Sequence, residues 1–307
     1  MKQQLMNLWK ESFGDSDEFI ELFFNRVYKE KNTLTIVENN QIISALQIVP
    51  YEMTYWGIKI TLGYICGVCT LPAERGKGRM KQLMQKAIDE MQRRKYTLTV
   101  LIPASEWLFN YYQNFGYTTI FDKTEEIHTL TKDKNTKNQI VTVTETLFDQ
   151  AYNDYNRIQQ KRKCAILHSA YDFETIHKDC MLDGGNIWMA LQDDQVTGLA
   201  FCVPTGNHEL LVKEIIYDHS DIKTTLIQSI LNFYQSKTAK VRIPPTPANS
   251  TPYGMVRILD KEMMVQHNLS SNNQLNTENI HQPDDSLNTQ ILFRYDQRKA
   301  YMNLMLD

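Results

Sequence analysis

The sequence is poor in the features that most often announce a function. No stretch approaches the roughly 18 consecutive apolar residues of a membrane-spanning helix. The opening MKQQLMNLWKESFGDSDEF has no apolar run of export-signal length. These absences predict a cytoplasmic protein with no membrane partner. Basic charge is not in excess: 33 Lys and Arg stand against 36 Asp and Glu, a net of −3. No broad cationic face is therefore available to displace counterions from phosphates, and no nucleic-acid partner is expected. Cysteine is scarce and odd in number, at Cys66, Cys69, Cys164, Cys180 and Cys202. That spacing makes no disulfide framework and fits a reducing compartment. The seven histidines show no ligand spacing, so no metal is expected.

What is present is periodic. Residues 3–13 and 16–30 read as helices, the second capped by Asp15 or Ser16, whose side chains can accept its free N–H groups. LTIVENNQIISALQIVP, 34–50, reads as strand, Asn-Asn turn and strand, and 51–71 adds two strands about Gly57. Met80, Leu83, Met84, Ala87, Ile88 and Met91 fall on one stripe of a helix over 77–95. LTVLIP, 98–103, reads as a buried strand. A helix near 105–114 and a strand from Tyr117 to about Leu130 complete the order ααββββαβαβ. Strand, helix and buried strand in succession imply a crossover within a mixed sheet, hence an α/β fold with flanking helices.

The polar stretch 131–139 reads as a linker. Beyond it, DDQVTGLAFCVP at 193–204 aligns without a gap on NNQIISALQIVP at 39–50. A strand at 210–218, a helix at 221–234 and a strand at 239–244 follow. The pattern predicts a second, degenerate copy of the first unit. The expected domains are 1–130 and 139–250, then a C-terminal segment 251–307 with a polar mobile loop at about 267–289.

The stretch CGVCTLPAERGKGRM, 66–80, admits three readings. As a redox or zinc pair, Cys66 and Cys69 lack a second pair of ligands. On an unbroken strand, residues three apart also point to opposite faces. As a nucleotide loop, the stretch lacks G-K-[ST], and Lys81 stands where G-x-G-x-x-G needs its last glycine. The third reading fits. A strand ends at Leu71-Pro72, and a short turn with Arg75, Gly76, Lys77 and Gly78 opens the strongest helix of the chain. The free N–H groups at a helix start face the positive end of its dipole, and glycine lets an anion approach them.

Val68-Cys69-Thr70-Leu71-Pro72-Ala73-Glu74-Arg75-Gly76-Lys77-Gly78 resembles the acetyl-CoA signature of the GCN5-related N-acetyltransferases, the GNAT superfamily. Its pattern [RQ]-x-x-G-x-[GA] is met by Arg75 and Gly78, with Met80 in place of the final small residue. That departure, and the second degenerate unit, resemble the branch of enhanced-intracellular-survival acetyltransferases. Tyr111-Tyr112-Gln113-Asn114-Phe115-Gly116-Tyr117 resembles the superfamily's F-Y-x-x-x-G-[FY]. The strong resemblance covers about the first 125 residues and extends weakly to about 245. The remainder is too short for that branch's full sterol-carrier-like domain.

The resemblance implies a GNAT fold and an acetyl-CoA-dependent N-acetyltransferase acting on a small-molecule or peptide amine. Val68, Cys69 and Thr70 would lie along the pantetheine arm. Arg75 and the backbone of Gly76, Lys77, Gly78, Arg79 and Met80 would hold the pyrophosphate. Tyr112 would protonate the leaving sulfur; the alternative role is a core aromatic. The terminal carboxylate of Asp307 would enter the active site as it does in that branch; the alternative is a packed C-terminal strand. Asp15, Asp17, Glu18 and Glu106 are acidic candidates near the acceptor that also suit helix starts. The second copy has Asp218-His219-Ser220-Asp221 where the loop should be, and is expected to bind no CoA. A non-catalytic acyl-CoA sensor and an interaction scaffold are the competing functions.

Overall fold

Turn residues and apolar periodicity set most of the elements. A computed structural model describes residues 1–131, 139–245 and 249–270, with Phe293, Ala300, Met302, Leu304 and Met305. The helices are α1 Lys2–Phe13, α2 Asp17–Arg26, α3 Arg79–Arg93, α4 Glu106–Gln113, α5 Phe148–Gln159, α6 Ala170–Leu182, α7 Ser220–Phe233 and α8 Lys261–Ser270. The strands are β1 Thr33–Glu38, β2 Gln41–Tyr55, β3 Ile58–Thr70, β4 Leu98–Leu101, β5 Thr118–Thr129 and β6 Gln139–Thr142. β7 Cys164–Leu167, β8 Asn186–Gln192, β9 Gln195–Gly206, β10 Glu209–Tyr217, β11 Thr238–Ile243 and β12 Thr251–Ile258 follow. The bulk of the 131–139 linker, most of the 267–289 loop and Asp307 lie outside the described residues.

The chain divides into two compact units, one of Met1–Asp122 with the described residues from Pro252 to Ala300, the other of Lys123–Thr251 with those from Met302 to Met305. The division falls inside β5, before the polar stretch that follows Leu130.

In the first unit, Asn39 and Asn40 adopt positive φ of 49° and 61°, as a two-residue hairpin turn demands, and join β1 to β2 in antiparallel pairing. β2 and β3 form a second hairpin. α3 then carries the chain to β4, which lies parallel to β3. Ser16 caps α2 by accepting from the Phe19 N–H at 3.1 Å. The stripe read on α3 is the buried one: Leu83, Met84, Ala87, Ile88 and Met91 are all at most 1% exposed. The large side chains among them contribute about 2 kcal/mol each by leaving water. β12 pairs antiparallel with β4, Met255 opposite Leu101 and Ile258 opposite Leu98. No strand is legible there in the sequence, because a pairing between segments so far apart leaves no local periodic mark.

The second unit repeats this order. Asp193 and Asp194, at φ 50° and 62°, turn β8 into β9. β9 pairs antiparallel with β10, α7 follows, and β11 returns parallel to β10. The succession β8-β9-β10-α7-β11 thus matches β1-β2-β3-α3-β4 element for element. The second half of β5 pairs with β11, and β6 with β8. Lys213, at an irregularity of β10, is ion-paired to Asp179 at 3.1 Å and Asp183 at 3.6 Å.

Candidate functional site

The site begins where two strands part. β3 and β4 pair only through Leu62–Tyr64 and Leu98–Val100, while β3 continues to Thr70. At about 3.3 Å per residue, roughly 20 Å of β3 runs on beyond its last β4 partner. On its other edge β3 pairs with β2 through a bulge: Cys66 faces Gln47, Cys69 faces Ala45, and Gly67 and Val68 together oppose one residue. Gly67 has φ +58°. The bulge corrects the expectation that Cys66 and Cys69 point to opposite faces. Their partners lie two apart on β2, so both cysteines register on one face. Both are buried free thiols. Burial pushes Cys69 up to about 12, and its Sγ donates to Ala45 O at 3.8 Å. Such a thiol is neutral at physiological pH and is a poor nucleophile.

After Thr70 a 3-10 turn at Pro72–Glu74 leads into the loop. Gly76 and Gly78 both have φ +74°, and Gly78 is the N-cap of α3. A Cβ at either would meet no atom within 4 Å, so the space beside this backbone is open. The N–H groups from Gly76 to Lys81 have no backbone acceptor among the described residues. The loop cations are not loose. Arg75 Nε donates to Thr70 O at 3.1 Å and Lys77 Nζ to Glu74 Oε1 at 2.9 Å. Arg79 pairs with Glu38 at 2.5 Å and Glu74 at 3.5 Å, leaving its buried Nε without a partner. The hydrogen bond from Lys77, with that from Arg79, holds the Glu74 carboxyl below its usual range.

β3, the loop, α1 and α4 enclose a cleft of about 580 Å³. Of the residues that the resemblance assigns to acetyl-CoA, Val68, Cys69, Thr70, Arg75, Gly76, Gly78, Arg79 and Met80 line it; Lys77 does not. Ser12 and Phe13 of α1, and Trp107, Leu108 and Tyr111 of α4, complete the walls. Tyr111 opens the second motif of the sequence, and the other four carried no sequence signal beyond ordinary helix periodicity. The Ser12 hydroxyl is buried and has no hydrogen-bond partner.

Tyr112 is the buried residue of α4, at 5% exposure. It packs with Leu83, Met84 and Ile88 in the core, and Tyr111 rather than Tyr112 lines the cleft. Burial, with Tyr111 beside it, pushes its phenol up to about 12. Its hydroxyl makes no hydrogen bond among the described residues. The rest of that motif is structural. Gly116, at φ +74°, turns the chain from the end of α4 towards β5, and the buried Tyr117 hydroxyl bonds Thr99 Oγ1 at 2.9 Å. None of the four acidic candidates lines the cleft, and Glu18 is exposed in the first turn of α2. Asp15 accepts Trp9 Nε1 at 2.7 Å, Asp17 pairs with Lys10 at 2.5 Å, and Glu106 is exposed in the first turn of α4. Among the described residues, no group of three His, Cys, Asp or Glu side chains is placed to hold a metal ion, and no helix is long and apolar enough to cross a membrane.

Residues 2–120 match the family model described as an acetyltransferase (GNAT) domain. A comparison with curated protein sequences found no match. Among solved structures, the fold resembles a probable N-acyltransferase from Enterococcus faecalis V583, at TM-score 0.66 and 17% identity, covering 84% of this chain and 70% of that one. It also resembles a GCN5-related N-acetyltransferase from Anabaena variabilis ATCC 29413, at TM-score 0.69 and 16% identity over 84% and 70% of the two chains. Eis1 from Mycobacterium abscessus is similar at TM-score 0.63 and 10% identity, over 86% and 72%.

Proposed function

We propose that the chain, whose residues 2–120 match the GNAT acetyltransferase family model, moves the acetyl group of acetyl-CoA directly to the amine of a small molecule or peptide. One observation carries the proposal: a row of unaccepted N–H groups from Gly76 to Lys81 opens onto a cleft along the bare edge of β3. Backbone donors at a helix start hold a pyrophosphate without needing free cations. This suits a loop whose Lys77 and Arg79 are already paired with carboxylates. From there the pantetheine arm runs back along Thr70, Cys69 and Val68, and the thioester lies at the bulge.

The acceptor ammonium, with a pKa near 10.4, loses its proton before attack. The nitrogen then adds to the thioester carbon, and collapse expels the CoA sulfur as a thiolate. A phenol held at about 12 is protonated at neutral pH, so Tyr112 can donate its proton once the ligand brings the sulfur within reach. The second unit joins β10 to α7 through Asp218 and His219, with no glycine and with Asp221 in the first helical turn. That chemistry repels an anion, so this unit binds no CoA and serves as the degenerate half of a tandem GNAT. A second reading, a non-catalytic acyl-CoA sensor, is favoured by the position of Tyr112, which is buried and does not line the cleft.

Thermal unfolding with and without acetyl-CoA tests the proposal. Ligand at 100 times its Kd adds about 2.7 kcal/mol and raises the midpoint by a few degrees. The rise should vanish in a folded Gly78→Asp variant, whose carboxylate enters the open space at the helix start. No rise at millimolar acetyl-CoA overturns both readings. Binding without CoA release across a panel of amines selects the sensor.

A further inference from the structure

We propose that Ser12 is a catalytic hydrogen-bond donor to the carbonyl oxygen of the acyl thioester. The inference rests on the acyl-CoA reading above and assigns the acyl end of that cleft. A serine in the last turn of a helix ordinarily satisfies its hydroxyl by bonding back to the carbonyl four residues earlier. Ser12 does not: its Oγ is buried without any hydrogen-bond partner, yet the residue lines the cleft. Buried hydroxyls are nearly always bonded, so an orphan at a ligand cleft marks a place where a ligand atom belongs.

The neighbouring polar groups are already engaged. The Thr70 and Ser44 hydroxyls bond each other at 2.7 Å, and Ser44 also donates to Cys69 O at 2.8 Å. The Cys69 thiol donates to Ala45 O. The Ser12 hydroxyl lies against that thiol and lowers its pKa as a hydrogen bond would, more than Ala45 O does, but the pair falls outside hydrogen-bond geometry and leaves the Ser12 O–H free for another acceptor. Ser12 is also held in place. Trp9, three residues earlier on the same helix face, packs its ring against Gly67 of the bulge, and Asp15 fixes its indole N–H.

With the pyrophosphate at the start of α3 and the arm following Thr70 to Val68, the thioester arrives beside this hydroxyl. As the amine nitrogen bonds to the carbonyl carbon, the C=O electron pair moves onto oxygen, and the Ser12 O–H stabilises that charge. Collapse re-forms C=O and breaks C–S. The proton that nitrogen then releases balances the one that the thiolate takes up, so acyl-CoA and amine give amide and CoA. Ser12 keeps its own proton throughout.

Two unreactive analogues separate this role from packing. The amide analogue of acetyl-CoA, with N–H in place of sulfur, keeps the carbonyl; S-ethyl-CoA has the same length and lacks it. By titration calorimetry, Ser12→Ala should bind the amide analogue roughly fivefold to tenfold more weakly than wild type and S-ethyl-CoA equally well. Ser12→Thr should restore most of the difference. Equal losses for both analogues, or none, overturn the Ser12 assignment while leaving the CoA cleft standing. Failure of wild type to bind either analogue overturns the acyl-CoA reading itself, and this assignment with it. Should Ser12→Ala not fold, Ser12→Cys, nearly isosteric but a weak donor, is judged by the same ratio.

Discussion

A side chain on Gly67 would collide with Trp9: a Cβ there would stand 2.3 Å from Cζ3 of the indole. The same glycine holds φ at +58°, so the bulge of β3 and the seat of α1 depend on one missing methyl group. Gly67→Ala should destabilise the first unit by about 2–3 kcal/mol through overpacking and backbone strain. Urea denaturation of Gly67→Ala, Trp9→Ala and the double variant measures the coupling. Strictly additive losses would show that the contact does not carry the effect.

Tyr112→Phe separates chemistry from packing. The ring stays in its core site, and the only loss is a hydroxyl that makes no hydrogen bond among the described residues. Acetyl transfer should fall roughly tenfold to a hundredfold, while the Kd for acetyl-CoA stays within about twofold. Tyr111→Phe serves as the control and should change turnover little. Full turnover by Tyr112→Phe would leave the sulfur to take its proton from water.

Glu38 and Arg79 set the charge at the pyrophosphate end. Glu38→Gln releases a guanidinium that pairs at 2.5 Å. Acetyl-CoA should then bind up to about fivefold more tightly, since a partly exposed ion pair contributes at most about 1 kcal/mol. The gain should shrink with added salt. Weaker binding would mean that Glu38 positions Arg79 rather than competing for it.

The C-terminal end of α3 carries a pH-dependent clamp. Glu90 accepts from Arg93 and Arg94, and these hydrogen bonds lower its pKa from 4.5 to about 2. Arg94 in turn donates to Asn32 Oδ1 at 2.7 Å and Lys31 O at 2.5 Å. A depressed folded pKa gives stability that is present above about 4.5 and lost as pH falls towards about 2. Glu90→Gln should therefore flatten acid denaturation across that window. Its cost at neutral pH should be at most about 1 kcal/mol, because solvent screens the pair. An unchanged acid limb would exclude the clamp.

Much of the first unit was legible because its signals are local. The Asn39-Asn40 turn, the apolar stripe from Leu83 to Met91 and the buried run Leu98–Leu101 each follow from neighbours within a few residues. The repeat was visible at 193–204 because the same turn and strand recur there. The stretch before it, with β6, α5, β7, α6 and β8, carries no such copy and gave no elements in advance. The bulge at Gly67 was not legible: alternation along β3 is a sequence property, but the extra residue exists only relative to its partner β2.

By itself, the sequence determined the mixed α/β class, the glycine loop before α3 and the turns at Asn39-Asn40 and Asp193-Asp194. These depend on propensity, backbone freedom and periodicity, which act over one or two turns of chain. Over 34–71 the sequence reads as four strands where the chain makes three, because β2 runs unbroken from Gln41 to Tyr55. Only the tertiary structure decided that Cys66 and Cys69 register on one face, that Arg79 answers to Glu38, and that β12 lies beside β4. It also decided that the Ser12 hydroxyl is buried at a cleft with nothing to bond. Each of these is a meeting of groups distant in sequence, and their energies are set by burial and register, which no local window of residues contains.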